Sequence, residues 1–414
     1  MSTVRQIEDI DDPNFNPFLS DEISFGDIVD LHARLTQLRK EASVHSTEYR
    51  MLFSPYPDLT LGQFKHYTVL GYDEVAQVYN DPATFSNGAW LYNIGLTFGR
   101  SISTMDAPEH PRYRRIFQKI FLPQNVSKWS TSLIDPVVSG LIGGFIDRGA
   151  ADLVQEFTLH YPFQIIYRQL GLPSEDVKTF HKLAIAQQVI TVDFEHATEA
   201  SKKLGTYFQN LIEERRRNPG EDLVSLLGTA EVDGERLPDE ILISFLRQLV
   251  TAAGDTTYRT LSSLLVGLLT NPDQLQAVTN DRGLVPQAIE EALRWEGTVT
   301  LGHRMTTRDT ILGGVSIPSG SVIDVIAGSA NRDETKFPDP DRFNIFRERK
   351  HRHFGFAAGP HVCIGQHLAR LEMNRAIEAI LDRLPNLRLD PEKPAPVIKG
   401  FMMRVPEHVY VRFG

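Results

Sequence analysis

Phe356-Ala357-Ala358-Gly359-Pro360-His361-Val362-Cys363-Ile364-Gly365 holds the only cysteine of the chain and runs directly into an apolar-periodic segment that reads as a helix. A cysteine at a helix N-terminus faces aligned N–H dipoles, which favour thiolate over thiol. That placement makes Cys363 a candidate axial ligand to a haem iron, with a lowered thiol pKa as the expectation. Gly359 and Gly365 have no Cβ and let backbone approach the sulfur closely. Phe356, seven residues before the sulfur, can pack on a macrocycle and limit water, which together with hydrogen bonds to sulfur tunes a reduction potential. An isolated cysteine is more often a small buried core residue. The flanking pattern favours the ligand.

Outward from this loop the chain offers no natural break. Its 414 residues exceed one small domain, but no Pro/Gly/Ser-rich linker, repeat or long charge block divides them, so a single domain over 1–414 is expected. Residues 1–30 are polar, with neither a basic start nor an apolar core, and read as a leader that is neither signal peptide nor anchor. No later apolar run reaches spanning length, and one cysteine cannot form an internal disulfide. These features predict a cytoplasmic protein without a membrane partner. The formal net charge of −10 argues against nucleic acid as a partner.

Helical patterns predominate. A short strand is predicted at Lys65–Leu70, then a helix capped by Asp73 from Glu74 to Asn80, and a loop over apolar surface from Trp90 to Phe98. Glu109 to Phe121 is basic and helical. Further helices are expected over Leu133–Asp147, Leu153–Gln169, Ser174–Val189 and Ala197–Arg217. Pro238-Asp239-Glu240 starts a helix whose pattern runs on to Asn271-Pro272, about 32 residues and ~48 Å long. Pro286 opens another, to Trp295. Thr310 to Ile326 reads as hairpin-rich sheet and Val409 to Phe413 as a terminal strand. The fold class is therefore mainly α with small β-sheets, α+β.

Taken with its neighbours, the Cys363 decapeptide resembles the haem-binding loop of the cytochrome P450 superfamily, soluble bacterial type, with Phe, Gly, His, Cys and Gly at the family spacing. Ala357 stands where the family usually has Gly. Further segments fall in the family's order between Tyr67 and Phe413. The resemblance implies a cytochrome P450 fold with a long central helix over haem b, iron protoporphyrin IX, held by the Cys363 thiolate. Ala252-Ala253-Gly254-Asp255-Thr256-Thr257 looks like the oxygen-activation stretch. Thr256 can bond the Ala252 carbonyl four residues back and leave a polar notch in an apolar wall, while Gly254 costs roughly 1 kcal/mol in a helix interior and so signals a close approach or a kink. The resemblance implies Asp255 as proton relay from solvent and Thr256 as the hydroxyl serving dioxygen; without it, the segment is a closely packed helix with an Asp on a wet face.

Glu291 and Arg294 share one helix face at i, i+3 and resemble the family's structural Glu-x-x-Arg motif, with Arg342 of Pro340-Asp341-Arg342-Phe343 as its third member. His110, Arg114, Arg304 and His361 match the family's propionate contacts, and an arginine fork suits a carboxylate. Basic faces are also commonly just solvated. The resemblance implies that Arg112, Arg115 and Lys119 face an electron donor, an acidic 2Fe-2S ferredoxin served by an NAD(P)H-dependent reductase; the same charges equally read as a solubilising face. Family substrate-contact regions map onto Trp90, Leu91, Phe98, Leu249, Ala252, Val299, Leu301, Phe401 and Met402, an apolar, partly aromatic wall suited to a terpenoid, aromatic or steroid-like molecule. The implied function is a haem-thiolate monooxygenase that activates O2 and hydroxylates a small hydrophobic substrate. Two alternatives stay open. One is a peroxide-dependent peroxygenase on the same fold, which the Asp255-Thr256 pair argues against. The other is a non-enzymatic haem sensor, for which no DNA-binding or signalling module is visible.

Overall fold

The computed structural model describes residues 4–56 and 58–414, so residues 1–3 of the expected leader lie outside it. Helices that position the cysteine loop are α1 (Pro17–Phe25), α2 (Leu31–Glu41), α3 (Tyr72–Asn80), α4 (Glu109–Ile120), α5 (Tyr161–Gln169), α6 (Val177–Ala186), α7 (Phe194–Arg217), α8 (Asp239–Leu269), α9 (Val285–Trp295) and α10 (Gln366–Arg383). The main sheet uses β1 (Val44–His45), β2 (His66–Val69), β3 (Phe85–Ser86), β4 (Leu301–Thr306) and β7 (Val322–Ile326), while β5 (Thr310–Leu312) and β6 (Val315–Ile317) form a separate hairpin. Its strand order is β1-β2-β7-β4-β3. β7 runs parallel to β2, with Val322 opposite His66, and antiparallel to β4, with Ile326 opposite Leu301. Every residue of β2 and of β7 is buried, as expected of strands covered on both faces.

The central helix α8 is 31 residues long, about 46 Å at 1.5 Å per residue. Asp239 and Glu240 in its first turn complement the helix dipole, and Asn271-Pro272 prevents its continuation. From Thr257 to Leu269 every residue is buried, so this half is the axis of the core. Gly254 serves close approach: a Cβ there would run into the Phe163 ring of α5. Among the described residues, no single helix is long and apolar enough to cross a membrane.

Several expected boundaries move. Helix α3 starts at Tyr72 with Gly71 at its cap, and Asp73 lies in the first turn, where its charge still favours the N-terminus. The expected loop over Trp90–Phe98 contains two short helical turns, Asn87–Tyr92 and Gly95–Phe98. The helix expected over Leu133–Asp147 is entered through a π-helical stretch, Ser130–Ile134, and Leu153–Gln169 is broken by another, Val154–Thr158. Nor are the described residues of 4–30 a detached leader. Ile7 and Ile10 join the main core, the Asn16 side chain caps α1 through Phe18 N, and Ser24 Oγ bonds Thr191 Oγ1 at 3.0 Å.

A buried ion cluster fixes the long connection from the sheet to Cys363. Arg294 places Nη2 2.8 Å from Glu291 Oε1 and Nε 2.9 Å from Oε2. The third member is Arg347, whose Nε lies 3.1 Å from Glu291 Oε1, and not Arg342, which is exposed and offers only its backbone carbonyl, to Arg294 and Arg347. Packing is the reason. Phe343 turns inward against Gly267 and Trp295, which sends the neighbouring Arg342 outward, and the chain comes back to Glu291 at Asn344 N and Arg347. Asn331 Oδ1 accepts from Phe354 N at 2.6 Å and so ties this connection to the start of the cysteine loop.

Removing one partner of a buried, hydrogen-bonded charge cluster costs about 3–5 kcal/mol, whereas an exposed side chain costs within ~0.5 kcal/mol. Arg347→Leu is accordingly expected to fall in the first range and Arg342→Ala in the second, measured by urea unfolding. Equal costs would remove Arg347 from the cluster.

Candidate active site around Cys363

The cysteine loop is a set of tight turns ending on a helix. Cys363 N donates to Phe356 O at 2.9 Å and Val362 N to Gly359 O at 3.1 Å. Gly359 sits at φ +68, where a Cβ would collide with the Tyr79 carbonyl of α3. Ala357 holds φ +56, the left-handed region that an L side chain occupies at a cost. Gly365, at φ −83, caps α10, and no protein atom would meet a Cβ there. A side chain there would meet open space, so the glycine eases no protein contact. The Phe356 ring lies 4.5 Å from the Arg370 guanidinium.

Burial among the surrounding atoms raises the Cys363 thiol above its ordinary value, while the amides of Gly365 and Gln366 and the charges of Arg114 and Arg370 pull the other way. The lowered pKa expected from the helix terminus is therefore not reached by the protein alone. The residue is nonetheless exposed, since a solvent-reachable surface and dense protein atoms on the remaining sides occur together in such a loop. A metal held by this sulfur would supply the missing positive charge and favour the thiolate.

His110 and Arg114 on α4, Arg304 on β4 and His361 in the loop lie close together. The His110 and His361 rings lie against each other, tilted by 35° with centroids 3.9 Å apart, and Arg114 donates to Val362 O at 2.6 Å. Burial first, then Arg114, holds His110 down at about 4. His361 falls to about 2 through burial and the charges of His110, Arg304 and Arg114. Burial likewise lowers Arg114 and Arg304. The carboxylate whose field reaches His110 and Arg304 is Asp106, and it is engaged by Ser86 Oγ and Asn87 N. His110 Nε2 is buried without a hydrogen-bond partner. A cluster of donors with an orphaned nitrogen fits an anionic group such as the propionates of haem, with the thiol on the adjoining loop as iron ligand.

On α8 the expected notch is present. Thr256 Oγ1 donates to Ala252 O at 2.9 Å, Ala252 is exposed, and Thr298 Oγ1 bonds Thr260 Oγ1 at 2.8 Å, bringing the 298–300 segment beside the notch. Asp255 is not on a wet face. It is 1% exposed as a side chain and ion-paired with Arg259, Nε to Oδ1 at 3.0 Å, and Arg259 reaches on to Asp21 of α1 at 2.6 Å. Arg259, four residues after Asp255, is the i, i+4 signal that could have revealed this pair; Asp21 carried no such mark.

The expected substrate wall divides. Leu91, Ala252 and Val299 are exposed and Trp90 is half-buried, its ring edge-on to His303. Phe98 and Leu249 are buried. Phe401 does not belong to such a wall: 1% exposed, it packs between Tyr49 and Phe53 and fills the space left by Gly26. Leu301 and Met402 line a crevice of about 10 Å³ among Arg50, His66, His303 and Asp324, too charged for an apolar ligand. The basic face of α4 is also partly spent, since Arg112 and Arg115 both pair with Asp233. A second basic run, Arg349-Lys350-His351-Arg352, is exposed and borders a 290 Å³ pocket that includes Phe356, Gln366 and Arg370.

The family model described as Cytochrome P450 matches residues 163–411. Putative cytochrome P450 YjiB of Bacillus subtilis (strain 168) is 33% identical over 330 residues, covering 78% of this chain and 82% of that protein. Cytochrome P450 monooxygenase PikC of Streptomyces venezuelae is 34% identical over 352 residues, covering 80% and 82%. Among solved structures, CYP109E1 from Bacillus megaterium in complex with testosterone superposes with a TM-score of 0.81 at 25% identity, covering 95% of this chain and 99% of that one.

The left-handed Ala357 is a local test of the loop. Ala357→Gly removes the steric cost of a Cβ at positive φ and is expected to stabilise the protein by about 1 kcal/mol, read as a higher denaturation midpoint. Destabilisation would show that this turn is not held as described.

Proposed function

The chain belongs to the cytochrome P450 family of haem-thiolate monooxygenases, and on that premise we propose that it hydroxylates a small hydrophobic organic molecule, terpenoid, aromatic or steroid-like, with electrons from a 2Fe-2S ferredoxin and its NAD(P)H-dependent reductase. The observation that carries this reading is the joint placement of Cys363 at the N-terminus of α10 and of His110, Arg114, Arg304 and His361 around an uncompensated positive site. Haem bound there supplies reductive activation of dioxygen and insertion of one oxygen atom into substrate.

The chain's own residues divide the remaining tasks. Cys363 presents its sulfur; Gly365 and Gln366 donate toward it and set its electron donation. Arg114 and Arg304 offer planar forks to the carboxylates. Thr256 Oγ1 is the alcohol at the notch, and Asp255 Oδ2, buried and unpartnered, is the carboxylate oxygen free to hold and pass a proton. Leu91, Ala252 and Val299 offer apolar surface that orients substrate and excludes water. CYP109E1 with bound testosterone supports a steroid-like upper size. The exposed run 349–352 beside the cysteine loop supports docking of an acidic ferredoxin, in place of the α4 face whose Arg112 and Arg115 are held by Asp233. The Asp255-Thr256 pair favours dioxygen over peroxide as oxidant.

The reading is tested by the spectrum of the reduced protein with carbon monoxide, where thiolate ligation moves the main band far to the red of histidine-ligated haem. Wild type is expected to show that band and Cys363→Ser to lose it; an unchanged spectrum in the variant overturns the proposal. Thr256→Ala is expected to keep the band but, once a spin-state screen has found a substrate, to send most reducing equivalents into hydrogen peroxide, roughly a tenfold or greater loss of product per electron. Unchanged coupling would remove the proton role of Thr256.

A further inference from the structure

Helix α1 contributes a charge to the interior of the oxygen-activation helix. Asp21 Oδ2 lies 2.6 Å from Arg259 Nη2, and Arg259 Nε lies 3.0 Å from Asp255 Oδ1, so one buried guanidinium is divided between two carboxylates. The side chains are 10%, 3% and 1% exposed in the order Asp21, Arg259, Asp255. Asp21 is thus the solvent-side end of a line that terminates at the acid beside Thr256. Phe25 and Tyr258 pack their rings on the two-way guanidinium at 5.3 and 5.2 Å, and Gln188 donates to Asp21 Oδ1 at 3.2 Å. Arg259 therefore has little room to move except between its two acids, and Asp255 Oδ2 is left without a partner.

We propose that Asp21 is a positioning residue for oxygen activation: by holding one edge of Arg259, it keeps the guanidinium from closing on both oxygens of Asp255 and so leaves Oδ2 free to take up and pass a proton. This deepens the monooxygenase reading and rests on it. When Asp21 is neutral or replaced by a neutral side chain, Arg259 is released to form the bidentate fork that arginine prefers with a carboxylate, and the working oxygen of Asp255 is occupied. The proton itself is exchanged at Asp255 Oδ2; Arg259 stays protonated throughout.

The groups facing Asp21 define when this happens. Arg259, Asp255 and Tyr258 face it from α8 and Gln188 from the turn after α6, while Lys399 pairs with the outer Glu22. His181 on α6, edge-on to Phe18, is pushed down to about 4 by burial and stays neutral above that. Burial raises Asp21 to about 6, Arg259 opposing and Asp255 reinforcing. A carboxyl with a raised folded-state value is neutral below it and ionised above it, so the shared arrangement holds at neutral pH and is lost on acidification through about pH 6.

The test uses the full-length, haem-loaded protein with three readouts. The reduced carbon monoxide band establishes the haem-thiolate site in wild type and in Asp21→Asn; its absence from wild type would sink the underlying reading, independently of Asp21. Infrared titration follows the protonated carboxyl band: wild type is expected to lose a buried-acid signal as pH rises through about 6, and Asp21→Asn to lack it. NADPH-driven dioxygen consumption with a 2Fe-2S ferredoxin and its reductase is expected to fall in wild type on acidification through the same pH, and to be roughly tenfold lower and nearly flat with pH in Asp21→Asn, with Asp21→Glu restoring both rate and profile. A wild-type profile in Asp21→Asn overturns the inference. So does a loss of rate accompanied by loss of the haem band, or one that Asp21→Glu does not repair, since either outcome reports a structural role alone.

Discussion

The sulfur of Cys363 is drawn in opposite directions, and the architecture around it follows from that conflict. Helix-terminal amides and nearby arginines favour the anion; the enclosing loop disfavours it more. The balance tips only when a cation stands directly on the sulfur. The same logic repeats nearby, where burial and the charge of Arg114 lower His110, and burial with the charges of His110, Arg304 and Arg114 lowers His361. One end of the site lacks a positive charge and the other lacks a negative one. A flat group carrying metal at its centre and carboxylates on its rim answers both deficits at once, which is why the fold can leave each of them standing.

Buried charge elsewhere is handled by sharing. Glu291 serves Arg294 and Arg347, Glu296 serves Arg332, Arg404 and His32, and Asp324 serves His66, His303 and the Tyr49 amide. Each hub is a carboxylate with its lone pairs used by several donors, the condition under which a buried ion is tolerable. Arg259 inverts the scheme, one buried cation between two acids.

The cysteine loop and the central helix were legible because each depends on local features, a glycine in a forced turn and a Pro-acid start, whereas Arg304 and His361, far in sequence from the His110 and Arg114 pair, were reached through the family resemblance alone. Arg342 was misread because neighbouring positions in an irregular segment point opposite ways, and only the inward Phe343 decides which arginine returns to Glu291. Phe401 looked like an aromatic wall residue, yet the glycine that makes room for its ring, Gly26, is 375 positions away in sequence. The segment taken for a leader hid Asp21 for the same reason: a polar surface pattern does not reveal that one of its acids meets an arginine from another helix. Long-range pairing, not local propensity, separates the readings that held from those that did not.

The contact between Gly254 and the Phe163 ring reaches beyond packing. An aromatic edge seated at a glycine of the 31-residue rod, matched further along by the Phe343 ring at Gly267, acts as a detent: sliding or rotating the rod would drive larger neighbours into the rings. The wall beneath Thr256 is thereby a fixed datum, and a guest of the kind proposed would find its adaptable surface at exposed side chains such as Leu91 and Val299.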